Sequence, residues 1–196
     1  MMSFVCLLWC VLSSVVCVVC TASLVLPFWI IHPDNLHTFG LYKRCVARVD
    51  ISVSHQDCGV YGGVFQFGQI PSGAWQAACM LYGGGCVFLA LGFLVALASC
   101  CCSGKCSHKL TLLAGYFQTI AFLIMMASLV IYPFGFNTHY FRYYCGMEAD
   151  MYFPGHCGIG WGYMLAVMGT ALAIFCPVLS YFRDSKVEYQ FPIDFL

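Results

Sequence analysis

Long apolar runs separated by more polar segments set the pattern of this chain. Four runs contain no Asp, Glu, Lys or Arg, and they span about residues 4–31, 75–102, 110–132 and 159–182. Crossing a hydrocarbon core of roughly 30 Å takes about 20 helical residues, and each run is long enough. The pattern predicts four transmembrane helices, connected by a long loop at 32–74, a short polar loop and a loop at 133–158, with a tail at 183–196.

The composition indicates that a bilayer is the solvent of these helices. Of the 196 residues, 62% are apolar and 8% are charged, whereas soluble domains have about 45–50% apolar and about 25% charged residues. The first run has no basic segment before it and exceeds the roughly 7–15 residues of a signal-peptide core, so we interpret it as a retained span. A formal net charge of zero argues against nucleic acid as a partner, because nucleic acid requires a basic surface.

The positions of Lys and Arg predict which side of the membrane each loop faces. Their numbers are balanced between the two longer loops and the rest of the chain, but Lys105, Lys109 and Arg183 lie within a few residues of span ends. The positive-inside bias is counted at such positions. We therefore expect a multi-pass plasma-membrane protein with both termini cytosolic and with the loops at 32–74 and 133–158 extracellular.

Cysteine placement agrees with this topology. Of the 15 Cys, the two longer loops hold Cys45, Cys58, Cys145 and Cys157, two in each loop. Extracellular cysteines in such numbers are typical of disulfides. Three pairings are possible, and we favour Cys45–Cys58 and Cys145–Cys157, the pairings within each loop. A zinc site, which needs more closely spaced ligands, and free buried thiols are the alternatives.

The cysteines of the spans divide into two groups. Those inside the spans, Cys6 and Cys10 among them, are interpreted as small apolar fillers. A second group clusters at the predicted cytosolic end of the second span beside Lys105 and Lys109, and it consists of Cys100, Cys101, Cys102 and Cys106. Juxtamembrane cysteines are candidates for reversible palmitoylation, and a thiol-rich helix end without modification is the alternative.

Aromatic and polar residues in or near the spans are interpreted as structural, either as anchors at the membrane surface or as hydrogen-bonding groups between helices. Trp29, Trp75 and Trp161 fall at predicted outer ends of spans, where Trp is enriched at the membrane–water interface. We therefore predict that they form an aromatic belt together with Tyr132, which ends the third run; a binding role is the alternative. Gln76 and Gln118 lie within the second and third runs, and we expect their amides to form hydrogen bonds between helices.

Short blocks in the loops carry a family resemblance. Trp29, Gly40, Leu41, Tyr42, Cys45 and Cys58 fit the pattern W…G-L-[W/Y]-x-x-C…C, which resembles the first-loop signature of the claudin-like four-span superfamily. Tyr42 departs from the Trp that claudins usually have. Further blocks follow in order: "DCGVYGGVFQFGQIPSGAWQAA" (57–78), "YPFGFN" (132–137), "YCGMEADMYFPGHCGIGWGY" (144–163) and "MGTALAIF" (168–175). Together they resemble the lipoma-HMGIC-fusion-partner-like (LHFPL) tetraspan family.

The resemblance implies an all-α membrane protein, a left-handed four-helix bundle that carries a small extracellular β-sheet stapled by the first-loop disulfide. The segment "LYKRCVARVDISVS" alternates and is rich in β-branched residues, as a strand requires. In such a sheet Lys43 and Arg44 would project to solvent or to a partner. With Phe65 and Phe67 of the apolar rim "VFQF" (64–67), they are the predicted partner contacts.

The sequence predicts no enzyme, no cofactor and no metal site, because it lacks the zinc-protease, serine-hydrolase and phosphate-loop motifs. The resemblance implies an auxiliary or adaptor subunit for the assembly, trafficking or gating of a larger integral membrane receptor or channel. The alternative is a claudin-like junction or adhesion protein that polymerises in the membrane. Leu196, as a C-terminal apolar residue, is a candidate ligand for a PDZ domain.

Overall fold

The computed structural model describes residues 4–50, 53–63, 66–102 and 105–190. Its helices and strands in chain order are α1 (Phe4–Val25), β1 (Ile30–Ile31), β2 (His37–Phe39), β3 (Lys43–Asp50), β4 (Val53–Val60), α2 (Gly73–Cys101), α3 (Lys105–Ile131), α4 (His139–Cys145), β5 (Gly158–Ile159), α5 (Trp161–Ala173) and α6 (Phe175–Gln190). Short 3₁₀ segments lie at Phe67–Gln69 and Tyr132–Asn137.

Four helices in the described residues are long and apolar enough to cross a membrane, and they cover Phe4–Val25, Gly73–Cys101, Cys106–Asn137 and Trp161–Arg183. Exposed apolar side chains recur along them, for example at Leu7, Val11 and Val18 of α1. These three residues are spaced four and seven positions apart, so they lie on one face of the helix, and that face points towards lipid. The prediction of an all-α membrane protein with four spans and a small antiparallel sheet is confirmed.

Two spans differ from their predicted form, and a proline explains each difference. The first helix ends at Val25 rather than at residue 31, because Pro27 has no N–H to continue the helix. The β-branched residues Ile30 and Ile31 then form β1 instead. The fourth span is broken between α5 and α6 at Ile174, three residues before Pro177, which cannot donate to the carbonyl of Ala173.

Contacts divide the chain into two compact units. We call one the helical unit, which consists of the described parts of Met1–Cys20, Gly84–Met125 and Gly169–Leu196. We call the other the sheet unit, which consists of the described parts of Thr21–Gly83 and Met126–Met168.

The sheet unit contains all five strands, in the order β4-β3-β2-β1-β5, and each neighbouring pair is antiparallel. The longest pairing joins β3 and β4 and sets Cys45 opposite Cys58. Helix α4 packs on one face of the sheet, where the ring of Phe39 lies 5.4 Å from that of Tyr144 and 6.5 Å from that of Phe141. The second loop therefore completes the sheet with β5 and covers it with α4.

Aromatic residues form the core of the sheet unit around Trp29. This side chain is fully buried, and its indole N–H donates to the backbone oxygen of Ser23 at 2.7 Å. Its ring lies 4.9–5.5 Å from the rings of Tyr82, Tyr132 and Tyr163. Trp75 is buried as well, and its indole donates to the backbone oxygen of Tyr132 at 3.2 Å.

The prediction of an aromatic belt is therefore wrong for Trp29, Trp75 and Tyr132. A belt residue must reach the membrane–water interface, whereas these three rings are enclosed by their own unit. Trp161 differs from them, since it is 48% exposed and stacks on Phe28 at 5.1 Å.

The helical unit is held together by buried polar side chains. The indole N–H of Trp9 donates to Gln118 Oε1 at 3.1 Å, and Gln118 Nε2 donates to Ser13 Oγ at 2.9 Å. Because Trp9 and Ser13 lie on α1 and Gln118 lies on α3, the interhelical hydrogen bonding predicted for Gln118 is confirmed. For Gln76 the same prediction is wrong, because its Nε2 donates at 3.0 Å to the backbone oxygen of Ile70, just before its own helix α2. A Cβ at Gly92 of α2 would stand 2.9 Å from Gln118 Cγ, so the glycine leaves space for the amide side chain.

Candidate partner-binding surface

Two disulfides close the two longer loops of the sheet unit. The structure bonds Cys45 to Cys58 and Cys145 to Cys157, which is the within-loop pairing favoured from the sequence. The first bond links β3 to β4. The second joins the end of α4 to the residue before β5, and it encloses a segment that we call the second-loop lobe, residues 146–156.

The G-L-Y motif forms the tight corner between β2 and β3. A Cβ at Gly40 would lie 2.7 Å from Pro27 Cα and 2.9 Å from the backbone oxygen of Leu26. Only glycine fits this approach, because both neighbours are backbone atoms. Leu41 is buried, and the Tyr61 hydroxyl donates to the backbone oxygen of Gly40 at 3.1 Å. Burial raises the pKa of Tyr61 well above its ordinary value, so this hydroxyl keeps its proton.

The two predicted contact cations lie next to each other on β3, so their side chains point to opposite faces of the sheet. Lys43 Nζ lies 5.1 Å from the centre of the Tyr42 ring, within the range of a cation–π contact. Arg44 lies on the α4 face, where its Nη1 donates to the Tyr140 hydroxyl at 3.2 Å. This bond raises the pKa of Arg44, while burial raises the pKa of Tyr140. The two cations do not form one patch.

Arg44 also lines a shallow cavity of about 410 Å³ beside β4, together with Val46, Asp57, Gly59 and other residues up to Gly63. The opening is wide, and the lining combines the charged side chains of Arg44 and Asp57 with the apolar side chains of Val46 and Val60. An open depression of this kind matches a protein surface better than the enclosed pocket that a small-molecule ligand needs.

Three other predicted partner contacts have side chains that the structure does not describe. Phe65 and Leu196 lie outside the described residues. Phe67 begins the 3₁₀ segment within the first loop, but its side chain is not described. These residues stay predictions.

The second-loop lobe presents an apolar surface that sequence reasoning missed. Met147 is 77% exposed and, just before the lobe, Tyr143 on α4 is 75% exposed. Met151, Tyr152 and Phe153 each expose half or more of their surface. The signal lay in the segment "MEADMYF" (147–153), where four large apolar side chains occur inside a short disulfide loop.

Backbone hydrogen bonds fix the shape of this lobe. Asp150 and Phe153 exchange two backbone hydrogen bonds, at 3.0 and 2.9 Å. Arg142 Nε donates to the backbone oxygen of Ala149 at 2.8 Å, and the His156 N–H donates to the oxygen of Cys145 at 2.8 Å. The exposed apolar side chains are therefore held on a closed, ordered loop.

Tyr152 ties the lobe to the end of the third span. Its hydroxyl donates to the backbone oxygen of Val130 at 3.0 Å, and its ring meets that of Phe134 at 5.4 Å. Both partners belong to the span Cys106–Asn137. The apolar surface of the lobe is thus continuous with the membrane-crossing part of the sheet unit.

The predicted palmitoylation sites have different surroundings in the structure. Cys101, Cys102 and Cys106 are exposed thiols, and the hydrogen bond between Cys102 and Cys106 raises the pKa of Cys102. Cys100 is bonded to Cys6. Acylation requires a free thiol, which Cys100 does not have in the disulfide form that this structure shows. Palmitoylation of Cys101, Cys102 and Cys106 stays a prediction, and Cys6 is more than an apolar filler.

Known proteins resemble this chain over most of its length. A family model described as "Lipoma HMGIC fusion partner-like protein" matches residues 5–182. The LHFPL tetraspan subfamily member 2 protein of Homo sapiens is 33% identical over 151 residues, which are 76% of this chain and 65% of that relative. The member 2a protein of Danio rerio is 32% identical, over 73% of this chain and 62% of the relative.

A third relative aligns almost from end to end. The LHFPL tetraspan subfamily member 7 protein of Xenopus tropicalis is 25% identical over 182 residues, and the alignment covers 92% of each chain. By contrast, the chain spans less than two thirds of the length of the two member 2 relatives.

Proposed function

The chain belongs to the lipoma HMGIC fusion partner-like family of tetraspan membrane proteins, and from this premise we propose that it is a non-enzymatic auxiliary subunit. It would assist the assembly, trafficking or gating of a larger receptor or channel at the plasma membrane. In this proposal both termini are cytosolic, so the sheet unit meets the extracellular side of the partner.

The observation that carries this proposal is the exposed apolar surface of the second-loop lobe. A soluble loop that leaves Met147, Met151 and Phe153 in water gains nothing from their exposure, whereas contiguous exposed apolar side chains mark interaction sites. The disulfide and the backbone hydrogen bonds hold these side chains in place before binding. Less conformational entropy is then lost on association, which favours affinity.

The position of the lobe supports an integral membrane protein as the partner. Tyr152 joins the lobe to the third span, so a partner that binds here also reaches the lipid-facing surface of that span. Lys43 and Arg44 contribute less in this account. Arg44 already donates to Tyr140, and a partner would have to displace or share that bond.

A co-purification experiment tests the proposal. The variant Met147→Ser/Phe153→Ser removes two exposed side chains, and its control, Tyr116→Ser, changes a side chain that is 65% exposed on α3 in the helical unit. Each protein is purified in mild detergent from native cells after surface labelling. We expect the double variant to reach the surface and lose a larger membrane protein that the wild type and the control retain. Equal recovery of that partner by all three proteins would contradict the proposal.

A junction protein that polymerises in the membrane is the second candidate function. The observation that favours it is the position of β4, which is an edge strand in the described sheet, and edge strands can pair with a second copy. Expression of the chain alone, followed by freeze-fracture electron microscopy, separates the two functions. An auxiliary subunit gives isolated particles, whereas continuous strands would favour the junction function.

A further inference from the structure

Three cysteines of the helical unit bring their sulfur atoms together. Cys6 and Cys10 are one helical turn apart on α1, and Cys100 lies at the end of α2. All three Sγ atoms lie within 4.8 Å of one another. The structure bonds Cys6 to Cys100 and places Cys10 Sγ 3.3 Å from Cys100 Sγ. We call these residues the cysteine trio.

A fixed positive charge stands beside the trio. Arg183 Nη1 donates to Cys100 Sγ at 3.4 Å, and the same guanidinium donates to Ser99 Oγ at 2.6 Å and to Ser107 Oγ at 3.0 Å. It also lies 5.6 Å from the centre of the Trp9 ring. A cation held next to sulfur favours the thiolate form, and thiolates are the form in which cysteines bind metals.

We propose that the trio, once reduced, binds a single Cu(I) ion through three thiolates. A cytosolic dithiol supplies two electrons and two protons to the Cys6–Cys100 bond, so that the dithiol becomes a disulfide and both cysteines become thiols. Cu(I) then forms three Cu–S bonds and releases three thiol protons. The disulfide and metal-bound forms are two states of one site.

The choice of metal follows from the donors. Soft thiolate ligands select Cu(I), zinc or iron–sulfur clusters. Structural zinc sites are almost always four-coordinate, whereas the group identified in the described residues offers three ligands, all of them sulfur. Three thiolates and one Cu(I) leave two negative charges, and Arg183 offsets part of this charge.

The spacing of the sulfurs suits a shared ion. Metal–sulfur bonds of about 2.3 Å, the length found for zinc, place the sulfurs of one site within about 4.6 Å of one another. The present spacing, within 4.8 Å, is close to that limit, so binding requires only small side-chain movements after the Cys6–Cys100 bond opens.

A metal titration tests this site in the full-length chain. The starting protein carries Ser at positions 101, 102 and 106, because those exposed thiols would also bind copper. It is reduced with a phosphine in the absence of air and titrated with Cu(I) against a chromophoric Cu(I) chelator. We expect one Cu(I) per chain, at least tenfold weaker binding in Cys10→Ser, and unchanged binding in Cys86→Ser, which alters a free buried thiol of the same unit.

X-ray absorption of the copper-loaded protein should show three sulfur neighbours and no nitrogen or oxygen. If the thermal unfolding of metal-free Cys10→Ser shows that this variant is misfolded, Cys6→Ser takes its place with the same expected loss. Three results would overturn the proposal: unchanged copper binding in both variants, displacement of copper by an equal amount of Zn²⁺, or a Cys6–Cys100 disulfide that persists in protein alkylated directly in cells. The last result would make the trio a permanent covalent staple.

Discussion

The sheet unit and the helical unit of this chain are stabilised in different ways. Two disulfides, a five-stranded sheet and an aromatic core around Trp29 hold the sheet unit. In the described residues of the helical unit, the Cys6–Cys100 bond is accompanied by hydrogen bonds between buried polar side chains, such as the pair Trp9–Gln118, and by close contacts at glycine. Between helices in lipid the hydrophobic effect supplies no net attraction, so packing and hydrogen bonds must supply it.

Because the sheet unit depends on a covalent bond across β3 and β4, loss of that bond should be more damaging than loss of one polar contact in the helical unit. A backbone clash in the sheet unit and a lost polar contact in the helical unit should have intermediate effects of similar size. The following variants test that order, from the largest effect to the smallest.

Replacement of Cys45 should have the largest effect. In the chain-entropy model a disulfide that closes a loop of about 15 residues contributes roughly 3 kcal/mol, and Cys45→Ser also leaves Cys58 as an unpaired thiol. We expect retention of the variant in the secretory pathway, measured by surface biotinylation. Cys79→Ser, at a free thiol of the same unit, is the control. Normal surface delivery of Cys45→Ser would show that the sheet unit does not need the Cys45–Cys58 disulfide in order to fold.

Gly40→Ala should come second. The new methyl group would meet Pro27 Cα and the oxygen of Leu26, both backbone atoms, and overpacking of this kind costs about 1–3 kcal/mol. Gly59→Ala on β4 is the matched control, because a Cβ there has no neighbour within 4 Å. Thermal unfolding in detergent should show a lower midpoint for Gly40→Ala alone, and equal midpoints would show that the corner can relax.

Gln118→Leu tests the helical unit. It leaves the buried indole N–H of Trp9 without its acceptor, and such a loss costs about 1–3 kcal/mol. In a double-mutant cycle with Ser13→Ala, we expect a coupling energy near 0.6 kcal/mol, the average for membrane helices. A coupling energy of zero would mean that the hydrogen bond from Gln118 to Ser13 does not stabilise the fold.

Tyr140→Phe should have the smallest effect. The change removes the acceptor of Arg44 but keeps the ring that lies 5.2 Å from Tyr144. A half-buried hydrogen bond is worth about 0.5–1.5 kcal/mol, so the unfolding midpoint should fall slightly. The control is Tyr143→Phe, an exposed neighbour on the same helix. A loss as large as that of Gly40→Ala would show that Arg44 has a greater role in holding α4.

The four spans could be predicted from the sequence because hydrocarbon imposes a simple rule of length and polarity. The first-loop strand was also predictable, since alternation and β-branching are local signals. The end of α1 at Val25 was harder to predict, because Ile30 and Ile31 are as apolar as a span. Pairing with β2 on one side and with β5 on the other makes these two residues a strand.

Burial and long-range contacts could not be read from the sequence. Trp29 is a residue type and position typical of an aromatic belt. Its burial instead results from contacts with the rings of Tyr82, Tyr132 and Tyr163, which are distant in the chain. The same holds for Arg44, which finds Tyr140 across 96 positions. The contacts of Cys6 with Cys100 and of Arg183 with Ser99 likewise depend on helix packing that no local pattern encodes.

A photo-crosslink from position 147 tests the central claim, partner binding by the second-loop lobe, most directly. A photoreactive amino acid replaces Met147 in the full-length chain, and a second protein carries it at Tyr116 in the helical unit. After irradiation of native membranes, the account predicts that position 147 gives an adduct with a larger integral membrane protein and that position 116 gives none with that protein. Adducts from position 147 with lipid or with other copies of this chain alone would contradict the account.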